Sequence, residues 1–260
     1  MSFSKFEQKI KSFECAYEYK IIPKIPVIIK LDARNFSINK GVDIPFDIKL
    51  SKIFGSVMQM MAPKIEGLVF GYQYSDKIFF VLKNDKTPET DPWFGNDVQK
   101  INSVVSSMCT DDFRTCSKIS DIQFQNQILF SSKVFGISGS NDGVDYFIYT
   151  QLKCYQDLVN NACQSKLKSV YGDRLFSILD RKSLEERKNL LLENDFDIDL
   201  CPPFFKRGMG IYLCPKLEET HKGHMAKLEW NLDISLPLFS ENRDFLYNIL
   251  STGADIFRQI

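Results

Sequence analysis

Apolar and polar positions change period repeatedly along the chain, and each change marks an element. In SKFEQKIKSFECAYEYK, Phe6, Ile10, Phe13 and Tyr17 recur at helical spacing among lysines and glutamates. This predicts an amphipathic helix, ended by Pro23 and Pro26. IPVIIKLD, residues 25–32, is short, β-branched and nearly all apolar, the pattern of a buried strand with Asp32 at its C-terminal end. ARNFSINKGVDIP reads as a loop. Pro45 then opens a long helix, PFDIKLSKIFGSVMQMMAPKI, with Asp47 in its first turn. LVFGYQY and KIFFVL, joined tightly at Ser75-Asp76, predict a hairpin. The order strand, helix, strand, strand is the first half of a ferredoxin-like sheet.

After the polar connector KNDKTPETDP, the stretch PWFGNDVQKINSVVSSMCTDDF predicts a helix with Val98, Ile101, Val105 and Met108 on one face. KISDIQFQNQILFSSKVFGIS gives one or two strands, and GSNDG a turn. VDYFIYTQLKCYQDLVNNACQSKL is a helix and SLEERKNLLLEN a short charged one. PPFFKRGMGIYLCP reads as a strand, THKGHMAKLEWNLDISLPLF as a hairpin and ENRDFLYNILS as a final helix.

Composition narrows the function little. Lys plus Arg equals Asp plus Glu, 33 each, so global charge makes no case for nucleic-acid binding, although an even total leaves room for a basic face. Phe numbers 22, which points to a core packed with rings. The seven cysteines are odd in number and lack CxxC spacing, the usage of reduced thiols in a cytoplasmic protein. The N-terminus is charged from residue 5 and has no apolar h-region, so it does not read as a signal peptide. No run approaches the roughly 20 apolar residues of a membrane span.

The candidate chemistry rests on Asp32 and Asp76. In a ferredoxin-like sheet the first strand neighbours the hairpin, which brings these carboxylates together. Like charges about 5 Å apart repel by roughly 3 kcal/mol at an effective dielectric of 20. The pair therefore calls for a counter-ion. Mg²⁺ suits it, because it takes one or two carboxylates and completes its shell with phosphate and water oxygens. Such a centre supports two-metal phosphoryl or nucleotidyl transfer. The ARNFS loop offers backbone N–H groups to a triphosphate. Spacing alone equally allows Asp32 as a strand-end cap and Asp76 as a turn residue.

Weaker candidates have bland alternatives. His221 and His224 in THKGH suit a solvated turn better than a zinc site. FKRGMG reads as a phosphate loop or a basic edge, and KLKSVYGDR as a phosphate contact or a solvated helix face. Tyr72, Tyr74, Phe79 and Phe80 suit either base stacking or the core.

KLDARNFS resembles the IDGRNFH-type motif of the tRNA-histidine guanylyltransferase family, and YQYSDKIFFVL resembles its YGQSDE-SFV motif. PWFGNDVQKINSVVSS, LFSSKVFGIS, DYFIYTQLKCYQDLVNNA, ERKNLLLE and PPFFKRGMGIY follow in family order, and LEWNLDISLPLFSENRDFL resembles the tail of the bacterial-type "guanylyltransferase-like" members. The resemblance implies an α+β fold: a ferredoxin-like, polymerase-palm antiparallel sheet flanked by helices. We expect a single domain, 1–260, with the palm core at about 20–150 and a helical and C-terminal hairpin extension at about 151–260.

It also implies an activity, Mg²⁺-dependent addition of nucleotides in the 3′-to-5′ direction to the 5′ end of tRNA or another RNA, with GTP and ATP as substrates. Two Mg²⁺ ions would be held by Asp32, the Ala33 carbonyl and Asp76. Nucleotide contacts would come from Arg34, Asn35, Phe36, Ser37, Ser75, Lys100, Lys133, Lys188 and Asn189. Family members associate, so a homo-oligomer (dimer or tetramer) or a hetero-oligomer is expected. The sequence departs from the family at Lys77, where an acid is usual, at Ser131-Ser132-Lys133, in the helix over 149–157, and at Ile44. The alternative reading is a nucleotide- or RNA-binding subunit of the same fold with impaired or repurposed catalysis.

Overall fold

A computed structural model describes the chain apart from residues 1–2, 35, 37–45, 86–89, 221–222 and 256–260, and apart from the side chains of 217–220 and 223–226. The chain opens with helix α1 (Phe3–Cys15), none of whose residues is buried. Periodicity gave its helical state correctly, but its apolar stripe faces solvent, with Phe6 53% and Phe13 62% exposed.

A βαββαβ unit follows: β1 (Val27–Arg34), α2 (Ile48–Met61), β2 (Leu68–Tyr74), β3 (Lys77–Leu82), α3 (Val98–Ile119) and β4 (Leu129–Gly136). The second half comprises α4 (Ser140–Tyr171), α5 (Leu175–Leu179), α6 (Leu184–Leu192), α7 (Pro203–Arg207), β5 (Met209–Thr220), β6 (Gly223–Asp233) and α8 (Arg243–Thr252). All six strands join one sheet in the order β4-β1-β3-β2-β5-β6. Every strand pairing in it is antiparallel. The expected ferredoxin-like sheet is present, and β5 and β6 widen it.

The two faces of the sheet carry separate cores. Along β1, Val27, Ile29, Leu31 and Ala33 pack with α2 and α3, whereas Ile28 packs with α4 and α8 on the other side. Strand alternation places Lys30 and Asp32 on this second face. A third cluster joins the C-terminal part of α4 to α5 and α6. α4 spans 32 residues, about 48 Å, and so serves both the second and third clusters.

Several boundaries differ from the sequence reading. β1 continues two residues past Asp32 because Ala33 and Arg34 pair with Phe130 and Leu129 of β4. Asp47 is the N-cap of α2, its side chain accepting from the Leu50 N–H, rather than a first-turn residue; Pro45 lies outside the described residues. The predicted GSNDG turn is the start of α4, whose Gly143 is buried against Leu250 and Ile137. The first half of PPFFKRGMGIYLCP is the short helix α7. Gly208, at φ +76°, then turns the chain into β5. His224 lies within β6, opposite Glu219, and His221 lies outside the described residues.

Candidate active site

The hairpin tip sets the geometry. β2 and β3 are joined by Ser75 and Asp76 alone, and Ser75 takes a positive φ of 52°. The Gln73 side-chain amide donates to the Ser75 carbonyl at 2.7 Å and braces the turn. The Ala33 N–H donates to the Asp76 carbonyl at 3.0 Å, which ties β1 to the tip.

Register then assembles a row of side chains across the second face. Asp32 pairs with Ser131 on one side and Lys77 on the other, and Lys77 pairs in turn with Tyr74. Directly opposed residues of an antiparallel ladder share a face. One step further along β1, Lys30 stands between Lys133 and Phe79. Two ion pairs close the cluster: Lys30 Nζ to Asp32 Oδ1 at 3.1 Å and Lys77 Nζ to Asp76 Oδ1 at 2.9 Å. The Lys77 ammonium also lies 5.2 Å from the centre of the Tyr74 ring.

Two phenols register this charge. Burial, first, and then the charges of Asp157, Asp76 and Asp32 among others push the Tyr74 hydroxyl well above its ordinary range. Tyr146 on α4 is pushed up to about 12, by burial and then by Asp32. Asp32 and Asp76 thus act on one side chain, Tyr74, and share the corner.

Beside the tip, α2, the hairpin and α4 enclose a cavity lined in part by Phe36, Asp47, Tyr74, Ser75, Asp157 and Phe205. Sequence reading did not single out Asp157 or Phe205 as site residues. The available signal was the helical spacing of Tyr146, Thr150, Cys154 and Asp157 along one side of α4.

Not every expected residue reaches this corner. Lys133 does, through its pairing with Lys30. Arg34 is exposed at the end of β1, and Phe36 is buried edge-on against Phe54, 5.8 Å between ring centres. Asn35 and Ser37 lie outside the described residues. Lys100 sits in the first turn of α3, the helix that packs on the opposite face of the sheet. Lys188 is held 2.9 Å from Asp199, and neighbouring Asn189 is exposed on α6, in the helical layer beyond α4. Tyr72, Tyr74, Phe79 and Phe80 are all buried, so the core reading of those rings holds. In FKRGMG the Arg207 carbonyl accepts from Tyr72 and Gln151, a structural use of the segment. Lys166, in KLKSVYGDR, stacks over Phe46 and Phe196.

The model of the tRNAHis guanylyltransferase (Thg1) family matches residues 7–138, just over half of the chain, and spans the whole βαββαβ unit with its acidic tip. The chain belongs to the tRNAHis guanylyltransferase family. Family members are tRNA guanylyltransferases, that is, nucleotidyltransferases. Arabidopsis thaliana tRNA(His) guanylyltransferase 1 is 27% identical over 232 residues, 85% of this chain. The chain spans only 39% of that protein's length. A bacterial tRNA(His) guanylyltransferase-like protein, solved in complex with ATP, superposes with a TM-score of 0.79 at 24% identity, covering 94% of this chain and 99% of that one. Its structure in complex with GTP gives 0.76 at 23%, covering 95% and 99%. The Saccharomyces cerevisiae tRNA(His) guanylyltransferase gives 0.67 at 15%, covering 85% of this chain and 95% of that one. These structures share the guanylyltransferase fold. Among the described residues, no helix is long and apolar enough to cross a membrane.

Proposed function

We propose that the chain is a nucleotidyltransferase that binds GTP or ATP at the Asp32–Asp76 corner and adds a nucleotide in the 3′-to-5′ direction to the 5′ end of tRNA or another RNA. The observation that carries this reading is the row Ser131–Asp32–Lys77–Tyr74 with Asp76 at its edge and Lys30 and Lys133 beside it. Acids and ammonium groups held side by side at the end of a rigid sheet suit a polyphosphate and its counter-ion. The ATP- and GTP-bound state of the bacterial relative supports nucleotides as ligands.

The donor set is compatible with Mg²⁺. Asp32 and Asp76 present hard oxygen ligands that are partly open to solvent, and Ala33, next to Asp32, donates its N–H to the Asp76 carbonyl at 3.0 Å. Asp32, Ala33 and Asp76 would hold it, and it would supply charge neutralisation on the transferring phosphoryl group. Among the described residues no group of three or more His, Cys, Asp or Glu is assembled, so phosphate and water oxygens must complete the shell. Lys30 and Lys133 take phosphate oxygens. Ser75, Arg34 and the segment through Asn35, Phe36 and Ser37 orient the nucleotide; Lys100, Lys188 and Asn189 act on the RNA or on a further phosphate. The two cores share the sheet, and the second core and the helical extension share α4, which supports reading residues 1–260 as one domain.

A second reading, nucleotide binding without turnover, is favoured by the Lys77–Asp76 pair, which puts a base where the family carries an acid. Incorporation of labelled GTP into 5′-truncated tRNA decides between them. Transfer predicts incorporation by the wild type and none by Asp76→Ala. No incorporation by either, with GTP still bound, would leave the binding role.

A further inference from the structure

Lys77 is the residue of the corner most firmly held at odds with a divalent ion, paired with Asp76 at 2.9 Å. An ammonium offers three donors and no acceptor, so it occupies acceptor positions on Asp76 that a metal would use. Its position is fixed from several sides. It follows directly on the two-residue turn, it faces Asp32 across the ladder, and its Nζ rests between Asp76 Oδ1 and the Tyr74 ring. Its side chain and that of Asp76 are each only 25% exposed, so water competes weakly for the pair. Lys30 differs. It lies two residues from Asp32 on the same strand face and pairs with that acid at 3.1 Å, but Lys133 stands opposite it, so Lys30 has a second cation as neighbour, which Lys77 lacks in its ladder position opposite Asp32.

We propose that the Lys77 ammonium is a resident monovalent cation at Asp76 and fills one of the positions that a two-ion centre would give to Mg²⁺. The centre then accepts a single divalent ion, and Lys77 itself neutralises part of the triphosphate charge. This deepens the nucleotide-binding reading given above and rests on it for the phosphate role. A dication brought beside the Lys77 ammonium is repelled, and a lysine in place of an acid changes the local charge by two units. The consequence is a nucleotide site less dependent on divalent metal than one carrying an acid at the same position.

The test reads ion binding rather than turnover. Free Mn²⁺ is followed by electron paramagnetic resonance during titration of wild type, Lys77→Met, Lys77→Glu and the double variant Lys77→Met/Asp76→Asn, first without nucleotide. We expect Lys77→Met to bind Mn²⁺ about tenfold more tightly than wild type or better, and Lys77→Glu more tightly again. The added Asp76→Asn should remove the gain, and circular dichroism checks that each variant is folded. Mn²⁺ affinity in folded Lys77→Met within about threefold of wild type would overturn the inference, since that difference is too small for a displaced cation. A second arm measures GTP binding in EDTA. Wild type should retain binding there that Lys77→Met loses and Mg²⁺ restores. GTP binding to neither protein with or without metal would overturn the nucleotide reading instead, while the nucleotide-free titration decides the role of Lys77 at Asp76 by itself.

Discussion

Asp32 and Lys77 stand directly opposite each other in the β1–β3 ladder, and the Lys77 ammonium bonds Asp76, its neighbour at the hairpin tip, at 2.9 Å. One lysine thus faces one of the two acids to which the proposed chemistry is assigned and pairs with the other. The polar step Ser75-Asp76-Lys77 interrupts an apolar hairpin because the tip serves the sheet's charged corner and not its core. The same corner holds a further tension, Lys30 opposite Lys133, that folding alone does not explain.

That tension yields a stability prediction. Like charges directly opposed in a ladder are destabilising by roughly 0.2–1 kcal/mol. Lys133→Gln should therefore leave stability unchanged or raise it by that amount in urea unfolding, while weakening phosphate binding. A loss of more than about 1 kcal/mol would show that Lys133 is a structural residue.

Gly208 is a point where shape is unforgiving. At φ +76° a Cβ would lie 2.6 Å from both the Gln73 carbonyl and the Tyr72 ring. The Tyr72 hydroxyl donates to Arg207 at 2.8 Å in the same place. Gly208→Ala should cost about 2 kcal/mol or more, read as a drop in the urea midpoint at unchanged slope.

Lys64 and Asp112 tie the 3₁₀ turn after α2 (Ala62–Lys64) to α3 at 2.8 Å, with the Asp112 side chain 6% exposed and Lys64 46%. Removing Lys64 leaves a buried carboxylate without its partner, whereas Asp112→Asn removes the charge itself. Lys64→Ala should therefore destabilise by about 1–3 kcal/mol and more than Asp112→Asn does. Thermal unfolding of the two variants side by side gives the order.

The thiols provide a pH prediction. Burial pushes Cys154 up to about 12, and Tyr146 likewise to about 12. Both groups stay protonated in the folded state above the pH at which they ionise in the unfolded chain. The unfolded state then binds fewer protons, so stability is fully present below about pH 8.5 and falls as pH rises toward 12. Denaturant unfolding at pH 8, 9 and 10 should show this decline. Disulfide-exchange reagents should label exposed Cys15 first, and buried Cys109, Cys154 and Cys163 only on unfolding.

The sequence carries local signals well and distant register poorly. The hairpin was legible because polar residues break two apolar runs at Ser75-Asp76. The βαββαβ order was legible from the switch between strand and helix periods. The facing of Asp32 and Lys77 was not, because pairing between separated strands depends on register, which neither strand encodes alone. GSNDG has the composition of a turn, yet Gly143 packs against Leu250 and tertiary contact draws the segment into α4. Motif order identified Lys100 and Lys188 but said nothing of where α3 and α6 put them. The stripe of α1 shows the converse limit: periodicity reports a helix, not what covers it.

Equilibrium binding of GTP to the wild type and to Lys30→Ala/Lys133→Ala tests most directly the claim that a triphosphate docks at the β1–β4 corner. Lys5→Ala/Lys9→Ala on exposed α1 is the charge-matched control. The account predicts that the corner variant binds GTP about tenfold more weakly or worse, with the control unchanged. Equal affinity of all three proteins for GTP would contradict it.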